Sequence, residues 1–193
     1  FPIGHVSVTE DEISTEEDTT RRARASFRQA TTDDIARDPN LNVVASVSID
    51  LADAIRIRQQ RLAEHQEIVR QLAFLNAQYD FSLYEGKFDC LAIKDEYALL
   101  YEVKTILPTA SDLEKQTVKG VGQLKYYKFS IVHKEMGYDT IRDALVFSMR
   151  PENAIIEFCN SENIDVIWRN EGQFYFFNRD TQSDDDFLPD KII

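Results

Sequence analysis

The chain has 193 residues, 34 of them acidic and 22 basic, giving a formal net charge of −12. That balance argues against a surface binding nucleic acid by charge alone, while 43% hydrophobic content suffices for one sizeable core. No apolar run reaches the ~20 residues of a membrane span, no signal peptide is expected, and two lone cysteines, Cys90 and Cys159, exclude a disulfide framework and predict a cytoplasmic protein.

The chain begins with Phe1, so a piece of a longer protein is expected, and residues 1–50 read as an N-terminal arm or the remnant of a preceding domain. Within it, Glu10 to Asp18 is an acidic, Thr-rich run of solvated character. Arg21 to Arg28 is a basic cluster, read as a charged helix face or a phosphate-backbone contact. Asp38-Pro39-Asn40 marks a turn, and Leu41 to Ile49 alternates like a strand. Leu51 to Gln78 is predicted to be a long helix. Leu62, Val69 and Leu72 form its apolar stripe, His65 lies on that stripe, and Glu64 and Glu67 flank it.

Next come two runs rich in aromatic and branched residues, Tyr84 to Ile93 and Tyr97 to Ile106, separated by Lys94-Asp95-Glu96. A strand, tight turn and strand is the natural reading. Alternation sends Leu100, Glu102 and Lys104 to one face and Leu99, Tyr101 and Val103 to the other. Asp89, on the first strand, is expected to come level with Glu102. Two carboxylates so placed repel unless a cation lies between them, and hard oxygen ligands suit Mg²⁺ or Mn²⁺. Lys104 on the same face is suited to stabilising phosphoryl charge or orienting a water. A solvent-facing salt-bridge ladder would use the same residues.

Ser111-Asp112-Leu113-Glu114, after Pro108, reads as a capping box opening a helix that runs toward His133 and stops near Gly137. Lys119, Gln123 and Tyr127 follow one another at intervals of four. Asp143 to Met149 then reads as a strand, Ala154 to Ser161 as a helix, and Ile164 to Arg169 and Phe174 to Asn178 as strands about the turn Asn170-Glu171-Gly172. Trp168 and the Phe174–Phe177 cluster read as packing, with base stacking the alternative. The tail around Asp184-Asp185-Asp186 is expected to be disordered. The order predicts an α/β fold, a mixed sheet with helices on both faces.

Asp89, Glu102-Val103-Lys104 and Gln123-Leu124-Lys125-Tyr126-Tyr127 together resemble the signature of the PD-(D/E)XK nuclease superfamily. The glutamine–tyrosine element is similar to that of its RecB-type and lambda-exonuclease-like branches. The resemblance spans roughly residues 55 to 178, with the nuclease domain placed at 51–180 and an acidic tail at 181–193; Phe88 stands where the family has proline. It implies a restriction-endonuclease-like core and hydrolysis of DNA phosphodiesters with Mg²⁺ or Mn²⁺. Asp89 and Glu102 would bind metal, Lys104 would assist the nucleophile, and Gln123 and Tyr127 would support the site. His65, with Glu67 as the other candidate, would complete the coordination. Two cysteines leave no set of four for an iron–sulfur cluster.

The expected function is therefore a metal-dependent deoxyribonuclease domain of a restriction, phage-defence or repair protein. The alternative is a non-catalytic nucleic-acid-binding or interaction module on the same fold. The expected partners are DNA and further domains or subunits that supply DNA affinity, with a homodimer as one way to cut both strands and no membrane.

Overall fold

In the computed structural model the chain is described over residues 27–35 and 49–192. The acidic run Glu10 to Asp18, most of the basic cluster Arg21 to Arg28, the Asp38–Asn40 turn and nearly all of Leu41 to Ile49 lie outside the described residues. Ile49 itself opens a helix.

Eight strands form one sheet whose spatial order follows the chain. They are β1 (Phe27–Ala30), β2 (Ser82–Gly86), β3 (Cys90–Lys94), β4 (Tyr97–Lys104), β5 (Thr140–Phe147), β6 (Asp165–Asn170), β7 (Gln173–Asn178) and β8 (Ser183–Asp186). A short helix α1 (Thr32–Ile35) follows β1, and the long helix α2 (Ile49–Gln78) precedes β2. Helix α3 (Ala110–Tyr127) joins β4 to β5, and α4 (Asn153–Ser161) joins β5 to β6. Pairing is antiparallel from β1 to β4, parallel across β4, β5 and β6, and antiparallel again to β8. The parallel centre needs long crossovers, which α3 and α4 supply.

The mixed sheet carries helices on both faces, as the element order predicts. Ile68, Val69, Leu72 and Ala73 of α2 pack on Leu99, Tyr101 and Val103. Leu113 and Leu124 of α3 and Ile156 and Cys159 of α4 pack on Leu100, Leu145 and Phe147. Alternation along β4 therefore divides its side chains between two cores. Asn76 fixes α2 against the sheet by accepting a hydrogen bond from the buried Tyr101 hydroxyl at 3.1 Å. His65, Val69, Leu72 and Asn76 fall on one helical stripe, so the docking that places Asn76 also places His65.

Three expectations are corrected. The run Tyr84 to Ile93 is not one strand: a bend at Lys87–Asp89 divides it into β2 and β3, which pair with each other. The cap of α3 is not Ser111 but Thr109, whose hydroxyl accepts from the Asp112 N–H at 3.4 Å. The acidic triplet is not disordered. Asp184, Asp185 and Asp186 belong to β8, and Phe187 and Ile192 beyond them are buried. Arg150 holds this strand through Asp184 at 2.7 and 3.1 Å. Charge on a sheet edge also discourages pairing with another chain.

The β6–β7 connection is a two-residue turn in which Glu171 (φ +48°) and Gly172 (φ +85°) are both left-handed, as a tight hairpin of this twist requires. Among the described residues no helix is long and apolar enough to cross a membrane.

Candidate functional site

The candidate site lies where β4 ends. Pairing of β3 with β4 sets Cys90 opposite Tyr101, so Asp89, one residue before β3, comes level with Glu102. The bend that splits the upstream run frees the Asp89 carboxylate to turn onto the β4 backbone, where Oδ2 accepts the Val103 N–H at 2.7 Å. From the other layer, His65 Nε2 lies 3.2 Å from the same oxygen, and His65 Nδ1 is buried without a partner among the described residues.

Glu102 and Lys104 are 3% and 6% exposed and pair directly, carboxylate to ammonium. Helix α3 closes the group, with Gln123 Oε1 accepting from Lys104 Nζ at 3.0 Å. Burial, with Asp89 adding to it, pushes the Glu102 carboxyl up to about 7, although Lys104 and His65 act in the opposite sense. Two acids, a lysine, a histidine and a glutamine from four elements thus converge.

Gly120 lets α3 come this close. A Cβ there would collide with Leu145 Cδ1 and meet Lys104 Cε at 3.2 Å, whereas Gly122, on the outer side, has nothing within 4 Å. Gly120→Val is therefore expected to cost about 1–3 kcal/mol through overpacking. Gly122→Ala should stabilise by up to about 1 kcal/mol through helix propensity. Urea unfolding of both variants measures the contrast; equal effects would mean that α3 does not pack as described.

Among the described residues Tyr127 makes no hydrogen bond to Glu102, Lys104 or Gln123. It is half-buried, packs against the core on the α3 side of the sheet and meets Tyr126 edge-on at 5.8 Å. The helix continues beyond it as a π-turn, Lys128–His133. Glu67 also turns elsewhere, bonding Arg70 at 2.9 and 2.6 Å and Gln71 at 2.6 Å. The lysines of α3 are not uniformly free, because Lys125 and Lys128 face the buried Asp143.

Sequence reasoning passed over Arg61 and Asp143. Arg61 ties α2 to the end of β4 and the start of α3, bonding the Thr105 carbonyl and Asp112 Oδ1, the latter at 3.0 Å. Its partners are 44 and 51 residues away, so no local pattern marks it. A cleft of about 400 Å³ opens beside His65 and Asp89, walled by Arg28, Asp34, Gln66 and Glu85. Arg28 pairs with Glu85 and Asp34 there.

Among the described residues, no group of three or more His, Cys, Asp and Glu side chains is already arranged to hold a metal ion. The donors suited to one are His65, Asp89 and Glu102, and as they stand Glu102 faces Lys104 while Asp89 faces the Val103 amide. No family model, curated protein or solved structure matches the chain.

Proposed function

We propose that this chain is a divalent-cation-dependent deoxyribonuclease with a restriction-endonuclease-like core of the PD-(D/E)XK type. The observation that carries this reading is the convergence of Asp89, Glu102 and Lys104 at the end of β4, with Gln123 entering from α3 and His65 from α2. A buried carboxylate held up to about 7 beside a second carboxylate is a group whose charged form a cation would stabilise.

By donor type, two carboxylates and an imidazole nitrogen suit a hard divalent ion, and holding one would need the Glu102 carboxylate to turn from Lys104 toward Asp89. When bound, such an ion polarises the phosphodiester and lowers the pKa of a water. The chain's own part is positional and electrostatic. The Val103 N–H orients Asp89. In this reading the Lys104 ammonium, fixed by Gln123, would stabilise the developing phosphoryl charge. Layers on both faces of β4 keep bulk water away from Glu102 and Lys104, which strengthens these interactions.

A second reading has an observation of its own. Lys104 already neutralises Glu102, as in a structural ion pair of a non-catalytic module on this fold. Incubation of supercoiled plasmid and labelled linear DNA with Mg²⁺, with Mn²⁺ and with chelator separates the two. Cleavage with either cation and none in chelator supports the nuclease. No cleavage under any condition supports the module.

A further inference from the structure

Helix α3 has an outer face that the fold leaves uncovered. Val118, Tyr126 and Phe129 are 63%, 61% and 60% exposed, although large apolar side chains on a helix ordinarily face a core. With Lys115 and Gly122 they form one stripe along the helix. Lys115 and Lys119 are exposed and form no ion pair among the described residues, and Lys134 Nζ stands 5.5 Å over the Phe129 ring. In a chain of net charge −12, lysines without an ion pair among the described residues stand beside exposed aromatic rings on this face, with Glu114 and Glu135 at its two ends.

The stripe is continuous with the candidate site. Lys119 and Tyr126 stand four residues before and three residues after Gln123, so they border it on the helix surface, and Gln123 bonds Lys104. Aromatic rings offered to solvent among ammonium groups fit a strand whose bases are unstacked, since bases stack on the rings while lysines meet the phosphates. A duplex keeps its bases paired and would gain only the charge contacts.

We propose that the outer face of α3 and of the π-turn after it is a track for single-stranded DNA, with Tyr126 and Phe129 as base-stacking platforms and Lys115 and Lys119 as phosphate contacts, leading a strand to Gln123 and Lys104. The track names the substrate class of the site proposed above and rests on that reading for its link to cleavage. Binding itself does not depend on it.

The test is fluorescence anisotropy with labelled oligo-dT, oligo-rU and a duplex of equal length, at low salt and in chelator, using the full chain. The expected result is tighter binding of oligo-dT than of the duplex; a preference for oligo-rU over oligo-dT overturns the assignment to DNA. Tyr126→Ala and Phe129→Ala should each weaken single-strand binding by about tenfold, and Lys119→Glu should weaken both ligands. Melting temperatures and light-scattering masses of the same variants act as controls. Equal binding of single strand and duplex, or no loss in the two aromatic variants, overturns the proposal. So does a wild-type dimer that Tyr126→Ala converts to monomer, because the stripe would then be a protein interface. Stripe-dependent binding without cleavage in Mg²⁺ or Mn²⁺ leaves the track standing and removes the nuclease reading; cleavage with unaltered binding in the stripe variants does the reverse.

Discussion

Lys104→Ala is expected to lower the rate of divalent-dependent DNA cleavage by about 10²- to 10³-fold, the scale on which one preorganised charge at a reacting centre acts. The same substitution leaves Glu102 buried without its partner, and breaking a buried pair costs about 3–5 kcal/mol. Loss of activity alone would therefore not separate chemistry from folding. Asp89→Asn does separate them. An asparagine Oδ1 still accepts the Val103 N–H now bonded at 2.7 Å, so the backbone contact survives while the charge is lost. Cleavage should fall by a comparable factor with the melting temperature nearly unchanged, both read on the same preparations. Wild-type rates in Asp89→Asn, or a loss of rate that tracks unfolding in both variants, would mean that the cluster is structural.

The second large effect concerns stability and pH. Burial beside Asp89 holds Glu102 up to about 7, against an ordinary 4.5. The folded state thus binds this proton more tightly than the unfolded state does. The stabilisation is fully present below about pH 4.5 and is lost as pH rises toward 7, on the order of 3 kcal/mol across the window. Other acids titrate at the low end, so the informative quantity is wild type minus Glu102→Gln. That difference in unfolding free energy should fall between pH 5 and 7.5 and then level. Mn²⁺ at saturating concentration should stabilise the wild type most at the upper end of this range, where Glu102 is ionised. A difference that does not change with pH would show that Glu102 carries no such burden.

Much of the central fold was legible because its signals are local. The β3–β4 hairpin follows from two apolar runs about Asp95 and Glu96, and Asp95 adopts the left-handed backbone (φ +54°) that the turn needs. Glu102 and Lys104 share a face because strands alternate. Gln123 reaches Lys104 because α3 returns across that face and Gly120 permits contact. What escaped the sequence depends on distant partners. Nothing near Tyr84 to Ile93 announces that the run folds back at Lys87–Asp89, since a bend inside an apolar stretch reads as a strand until its pairing is known. Asp184 to Asp186 read as a solvated tail by composition, yet β7 pairing, Arg150 and the buried Phe187 hold them in place. Tyr127 shares a stripe with Gln123 at a spacing of four, but the spacing does not show which partner its hydroxyl takes, and among the described residues it bonds none of the cluster. Lys125 and Lys128 face Asp143, buried in β5, and no local pattern announces that pairing.

If the chain is the nuclease proposed, Asp89 and Glu102 form a divalent-cation site with Lys104 beside it. Anomalous diffraction from crystals soaked in Mn²⁺ addresses it most directly. A peak ligated by Asp89 and Glu102, with His65 Nε2 completing the set and the Glu102 carboxylate withdrawn from Lys104, is the result the account predicts. Well-ordered density with no peak there, and Glu102 still paired to Lys104 in the presence of excess Mn²⁺, would contradict it.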